Sequence, residues 1–370
     1  MSLSSADLLA GPRGRRLCLE MARTARTDST EATEALSSAL FYAAYDLDPG
    51  RGTSVVLFGP GADRRSGPPP APSPAEVGRL LGTVSPPECD ERTLLLGLRS
   101  AVDSARYWQD PDGEDVLAGT PEVRAALAGM ASAIATAPSA AQWSQPMDAY
   151  GQWSVTLADA TGPVPPPPRT AAETLAAWQS AQVEEEAVAR RDRPVDPAAM
   201  ISGTWWSRPP YTLTKTTPGL AGRGPVGLWL VEDGFSWETA TAERIQVPGD
   251  ARIFEIDGPD AWADLVRRYP LDVTASRRQD WYRTTGRSGA WAIPDWSQVQ
   301  HDVDAVHLSI AGYLTTAGRA IPLDEERSTV LAGWDPDATF WLRDVISDAE
   351  SRLHWFYDRG SANWELSTNP

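Results

Sequence analysis

Gly162-Pro163-Val164-Pro165-Pro166-Pro167-Pro168, followed closely by Thr170-Ala171-Ala172-Glu173, is the stretch on which the reading of the chain turns. Consecutive prolines have no backbone N–H to donate and a fixed φ, so they exclude helix and favour an extended spacer. Thr170 and Glu173 have the spacing of a capping box, in which each side chain accepts the other's backbone N–H. That predicts a helix running through Leu175, Trp178 and Val183 into the charged run Glu184–Arg191. The reading is a mainly helical domain over 1–160, a Pro-rich connector and helix over 161–200, and an α+β domain over 201–370.

Upstream of this boundary the pattern is helical. Ser29 can cap a helix that ends near Tyr45, before the stop signal Asp48-Pro49-Gly50. Leu94, Leu95, Leu98, Val102 and Ala105 recur at helical spacing and predict a helix over 91–107. Thr120-Pro121 reads as a cap and first turn, with Val123, Leu127, Met130 and Ile134 on one face of a single helix. Asp110-Pro111-Asp112-Gly113-Glu114-Asp115 lacks the acidic positions of a calcium loop and is expected to be a solvated turn.

Downstream the character changes, since 12 of the 16 tryptophans lie after residue 200. Val226–Val231, Arg252–Ile256, Ala305–Ile310 and Thr329–Ala332 read as buried or half-buried strands, and Pro259–Tyr269 as a helix with Trp262, Leu265 and Val266 inward. Irregularly spaced strands with one good helix between them predict an α+β fold rather than a repeating βαβ array.

Composition bounds the function classes. A 370-residue chain with 42% hydrophobic residues can bury a sizeable core, and a net charge of −17 argues against nucleic acid as the main partner. Lys215 is the only lysine. Cys18 and Cys89 show no CxxC spacing, which suits a reducing compartment. The histidines, His301, His307 and His354, form no zinc-binding pattern, so no metal site is expected. Arginines interrupt the first 17 residues, and no apolar run approaches the length of a membrane span, so the expectation is a soluble, cytoplasmic protein with no membrane partner.

Candidate site residues fall in the second half. Trp205-Trp206-Ser207-Arg208-Pro209-Pro210-Tyr211 combines a guanidinium with three large aromatics. Such a group can stack a base and hold a phosphate, with Trp206, Arg208 and Tyr211 as ligand-binding residues, or it can simply pack. Glu255 and Asp257 share one face of a strand by alternation, which suits acid–base work or the solvent face of an edge strand. His307, alone among the histidines in lying within a strand, is the natural general base or else a core histidine. Trp334-Asp335-Pro336-Asp337 reads as a turn.

Residues 200–345 resemble the ADP-ribosyltransferase-like fold. Trp206-Ser207-Arg208 stands where that family's first strand carries an Arg or His, Tyr211 to Thr217 where aromatic and hydroxyl residues follow, and Glu255 where the catalytic acid lies. Neither a Glu/Gln-x-Glu pair nor a Ser-Thr-Ser run is present. The resemblance implies an enzyme that binds NAD or a related nucleotide and transfers ADP-ribose, with Glu255 and His307 catalytic and Trp206, Arg208, Tyr211 and Asp257 holding the ligand. The alternatives are a non-catalytic module that binds a protein partner through exposed Trp and Arg, and a tailoring enzyme of specialised metabolism.

Overall fold

A computed structural model describes residues 3–25, 29–56, 70–158, 169–234 and 237–367. The chain has the expected α+β architecture, with helices dominating the N-terminal half and four sheets among the described residues. No helix among those residues is long and apolar enough to cross a membrane.

Local chemistry accounts for most of the helices. The Ser29 hydroxyl accepts the Ala32 N–H and starts the helix Thr30–Leu47. Asp90 caps Glu91–Asp103, which buries Leu94, Leu95, Leu98 and Val102. That helix lies close against Pro12–Thr24, because a Cβ on Gly97 would come within 2.7 Å of the Met21 sulfur. Two expectations in this half need correction. The helix after Pro121 is broken at Leu127 into Pro121–Ala126 and Ala128–Thr136, and the Thr120 hydroxyl caps nothing because it donates back to the Leu117 carbonyl. The acidic run is no solvated turn. Asp112 caps the helix Gly113–Gly119, and Asp112, Glu114 and Asp115 pair with Arg16, while Asp115 also holds buried Arg13.

The Pro-rich stretch 162–168 lies outside the described residues. Beyond it Thr170 and Glu173 form the expected capping box and open the helix Ala171–Asp192. The strand Trp153–Ala158, which precedes the Pro-rich stretch, pairs antiparallel with Thr239–Gln246 far beyond it. One continuous apolar core runs from Leu8 to Trp364, so the N-terminal helices and the C-terminal sheets share their interior.

One sheet positions the candidate site. Its strands run in the order Lys215–Thr216, Ala338–Trp341, Ala305–Leu308, Ile253–Ile256. The first two pairings are antiparallel and the last is parallel. Directly paired residues share a face. Lys215, Phe340, Val306 and Phe254 therefore form a row on one side, and Thr216, Thr339, His307 and Glu255 a row on the other. The first face packs on an aromatic core in which Trp334 contacts Trp262, Trp296 and Phe340 at centroid distances of 6.5, 5.7 and 5.2 Å.

Val226–Val231 is not the expected strand. It begins as the 3-10 turn Val226–Leu228, fixed by Pro225 before it and by the Gly227 N–H donating to the Thr217 hydroxyl. A short, wholly buried apolar run has no periodicity that separates strand from buried turn. The expected strand at Thr329–Ala332 is the end of Arg327–Thr329, and Val330 to Ala332 continue, buried, beyond it.

Candidate functional site

The in-register pairing of Ile253–Ile256 with Ala305–Leu308 sets Glu255 beside His307. Asp337 precedes the strand Ala338–Trp341 at φ +56°, a left-handed conformation that a short Asp side chain tolerates, and from there reaches the same imidazole. His307 is 1% exposed, with Nδ1 2.6 Å from Glu255 and Nε2 3.1 Å from Asp337. The second Glu255 oxygen accepts the Met147 backbone N–H at 3.0 Å. Burial pushes the His307 pKa down, but hydrogen bonds to Asp337 and Glu255, together with their charges, outweigh it and hold the group up at about 9. At neutral pH the ring is an imidazolium donating to both carboxylates. The structure thus joins two expected catalytic residues, Glu255 and His307, but with both ring nitrogens occupied His307 is a clamp rather than a general base.

Asp257 does not join them. The strand ends at Ile256 and the helix Pro259–Arg268 follows almost at once, so the alternation that put Asp257 on the Glu255 face is cut short and its side chain is exposed.

The other ligand-binding residues gather on the opposite side of the sheet. Residues 203–214 form no regular strand, and Ser207 anchors them. Its N–H donates to Ala332, its hydroxyl accepts the Ala332 N–H, and its carbonyl accepts the Trp296 indole. Gly333, at φ +76°, lets the chain pass so close that a Cβ there would lie 2.7 Å from Trp206 Cβ. This packing lines a cleft of about 300 Å3 with Trp206, Arg208, Tyr211, Lys215, Asp335 and Phe340. The Arg208 guanidinium lies 5.7 Å from the Trp206 ring and 6.0 Å from those of Tyr211 and Phe340. One of its nitrogens donates to the Pro209 carbonyl, and among the described residues none is ion-paired with a carboxylate.

Lys215 and Asp335, which the sequence reading treated separately, and Glu232 complete the cleft. Lys215 pairs with Asp335, whose other oxygen accepts the Glu232 N–H at 2.9 Å. Glu232 also lines the cleft, and among the described residues neither of its oxygens has a hydrogen-bond partner of good geometry. Burial, then the Asp335 charge, pushes its pKa up to about 8 against the opposing pull of the Tyr313 and Tyr107 hydroxyls. Glu232 therefore keeps its proton at neutral pH. With Asp233 paired to Arg106 and Asp335 to Lys215, Arg208 leaves the cleft one positive charge in excess. Lys215 as the sole lysine and the acidic pairs after apolar runs were the available signals, but only the fold brings them together.

Arg208 and Glu255 do not share a cleft. Arg208 sits with the Lys215–Phe340 row and Glu255 with the Thr339–His307 row, so the sheet separates them. No family model, curated protein or solved structure matches this chain. The cleft must therefore be read on its own chemistry. Among the described residues no cluster of His, Cys, Asp and Glu has the form of a metal site.

Proposed function

We propose that the Arg208 cleft holds one aromatic ring and one anionic group of a nucleotide-like ligand. The observation that carries this reading is an arginine ringed by three aromatic side chains, without a carboxylate partner among the described residues, in a chain of net charge −17. A guanidinium in that setting offers its fork to a phosphate or carboxylate while Trp206 or Tyr211 stacks on the ring. At about 300 Å3 the cleft lies at the small end of ligand sites, which suits one base or ring with its anionic group.

ADP-ribosyl transfer from NAD is the finer form of the same reading. Arg208 would take the phosphate and an aromatic neighbour the nicotinamide, and the catalytic acid would have to be a carboxyl other than Glu255. The alternative of a protein-binding surface of exposed tryptophans loses its basis, since all 16 indoles are buried or half-buried.

Thermal melting of wild type and Arg208→Ala across a panel of NAD, ATP and GTP tests the reading. A ligand at 100 times its Kd adds roughly 2.7 kcal/mol of stability by mass action. For 370 residues that is about 1.3 °C per kcal/mol, so the melting temperature rises by roughly 3–4 °C. No shift with any nucleotide would overturn the proposal.

A further inference from the structure

A separate cleft of about 410 Å3 opens where the N-terminal helices meet the end of the helix Ile310–Thr316, and Arg15, Asp115, Thr120, Thr284, Thr285 and Arg319 face it. Arg15 donates through one terminal nitrogen to the Leu9 and Ala10 carbonyls at 3.2 and 3.0 Å, and its Nε is buried without a partner. Arg319 donates to the Thr315 carbonyl at 3.2 Å. Among the described residues neither arginine has a carboxylate within ion-pairing distance. Asp115, the one acid that lines the cleft among the described residues, is already engaged by Arg13 and Arg16. Burial and then the charges of Arg124, Arg13 and Arg319 depress the Arg15 pKa, with Asp115 opposing, so cationic groups crowd this corner of an otherwise acidic protein. An oxyanion placed among them relieves that repulsion and accepts from both guanidinium forks.

The hydroxyls add a second requirement. Thr120, Thr284 and Thr285 donate their hydrogens to the carbonyls of Leu117, Tyr107 and Trp281 at 2.7, 2.9 and 2.6 Å. Thr285 already spends one lone pair on the Arg287 N–H at 3.2 Å, while the remaining lone pairs of the three oxygens are left to accept, so a ligand that meets them must bring hydrogen-bond donors of its own. The cleft also exceeds what a bare phosphate fills.

We propose that this cleft is a second binding site, for a phosphorylated polyol or sugar whose phosphate lies between Arg15 and Arg319 and whose hydroxyls donate to the threonines. It is independent of the Arg208 cleft. The two differ in ligand chemistry, since among the described residues this one is lined by no aromatic ring with which to stack a base.

Calorimetric titration of the full chain with glycerol 3-phosphate tests this, with inorganic phosphate and glycerol as parallel arms at matched ionic strength. The expected result is saturable binding near one equivalent, tighter for the ester than for inorganic phosphate, with glycerol silent. Arg319→Ala and Arg15→Lys should each weaken the ester at least tenfold, and Arg208→Ala should leave it unchanged. Melting temperatures in chloride alone establish that the variants are folded, and Arg319→Ala stands by itself should the helix-anchored Arg15 variant unfold. No saturable heat from either phosphate compound, or unchanged affinity in a folded Arg319→Ala, would overturn the site. Equal affinity for the ester and inorganic phosphate would overturn the polyol assignment.

Discussion

Arg208 and Glu255 stand on opposite faces of one four-stranded sheet, the first among Trp206, Tyr211 and Phe340, the second hydrogen-bonded to His307. The separation divides the molecule's polar chemistry in two. On one face an arginine with no carboxylate partner among the described residues and a neutral buried carboxyl border a cleft. On the other an imidazolium is locked between two carboxylates and serves stability.

The clamp makes stability depend on pH. The folded-state pKa of His307, about 9, lies above its ordinary value near 6.5. Its stabilisation is therefore complete below about pH 6.5 and is lost as pH rises through 9, on the order of 3 kcal/mol over that window. Urea unfolding at pH 6, 8 and 9.5 should show this slope in wild type and a flatter one in His307→Gln. His307→Ala, which leaves Glu255 and Asp337 without their shared cation, should cost about 3–5 kcal/mol at pH 6.

Glu232 acts in the same direction over a lower range. Its folded pKa, about 8, exceeds the ordinary 4.5, so the native state holds the proton more tightly than the unfolded chain does. Stability should fall as pH rises between about 4.5 and 8. Glu232→Gln should abolish the fall between about pH 4.5 and 6.5, leave only the His307 share above it, and melt higher than wild type above pH 8. Ionised Glu232 also cancels the cleft's excess positive charge, so nucleotide affinity should drop through pH 8 in wild type and stay level in the variant. Equal pH profiles for the two proteins would remove Glu232 from this role.

Gly333 tests the backbone that shapes the cleft. Alanine there must adopt φ +76° with its Cβ 2.7 Å from Trp206 Cβ. Strain of about 1–3 kcal/mol should appear in the unfolding free energy, together with a changed Trp206 environment in near-ultraviolet dichroism.

Much of the fold was legible in the sequence, and the reasons are local. Ser29 and Thr170 each place a side-chain acceptor where a helix leaves N–H groups unpaired, and the structure uses both. The Glu255–His307 contact was not legible. It depends on a parallel register between strands whose paired residues are 52 positions apart, which no local pattern encodes. The reach of Asp337 depends likewise on a left-handed turn, where the Asp-Pro-Asp composition indicated only a turn. Asp257 failed for the opposite reason, because alternation was extended one residue past the end of the strand.

The shared interior leads to a prediction about cleavage. A protease site engineered between Ala158 and Ala171 should yield two fragments that co-elute under native conditions. The strand Trp153–Ala158 stays paired with Thr239–Gln246, and the apolar core spans both pieces. Separation without denaturant would show that the helical and sheet-bearing halves hold together only through the connector.

Calorimetric titration of NAD into wild type and Arg208→Ala at pH 7 tests the central claim most directly. A charge-assisted hydrogen bond contributes about 1.5–3 kcal/mol, and each 1.4 kcal/mol is tenfold in affinity. The account predicts saturable binding to wild type, quenching of tryptophan fluorescence on the same concentration scale, and a loss of about ten- to a hundredfold in a variant that still melts cooperatively. Binding of equal strength to both proteins, or to neither, would contradict it.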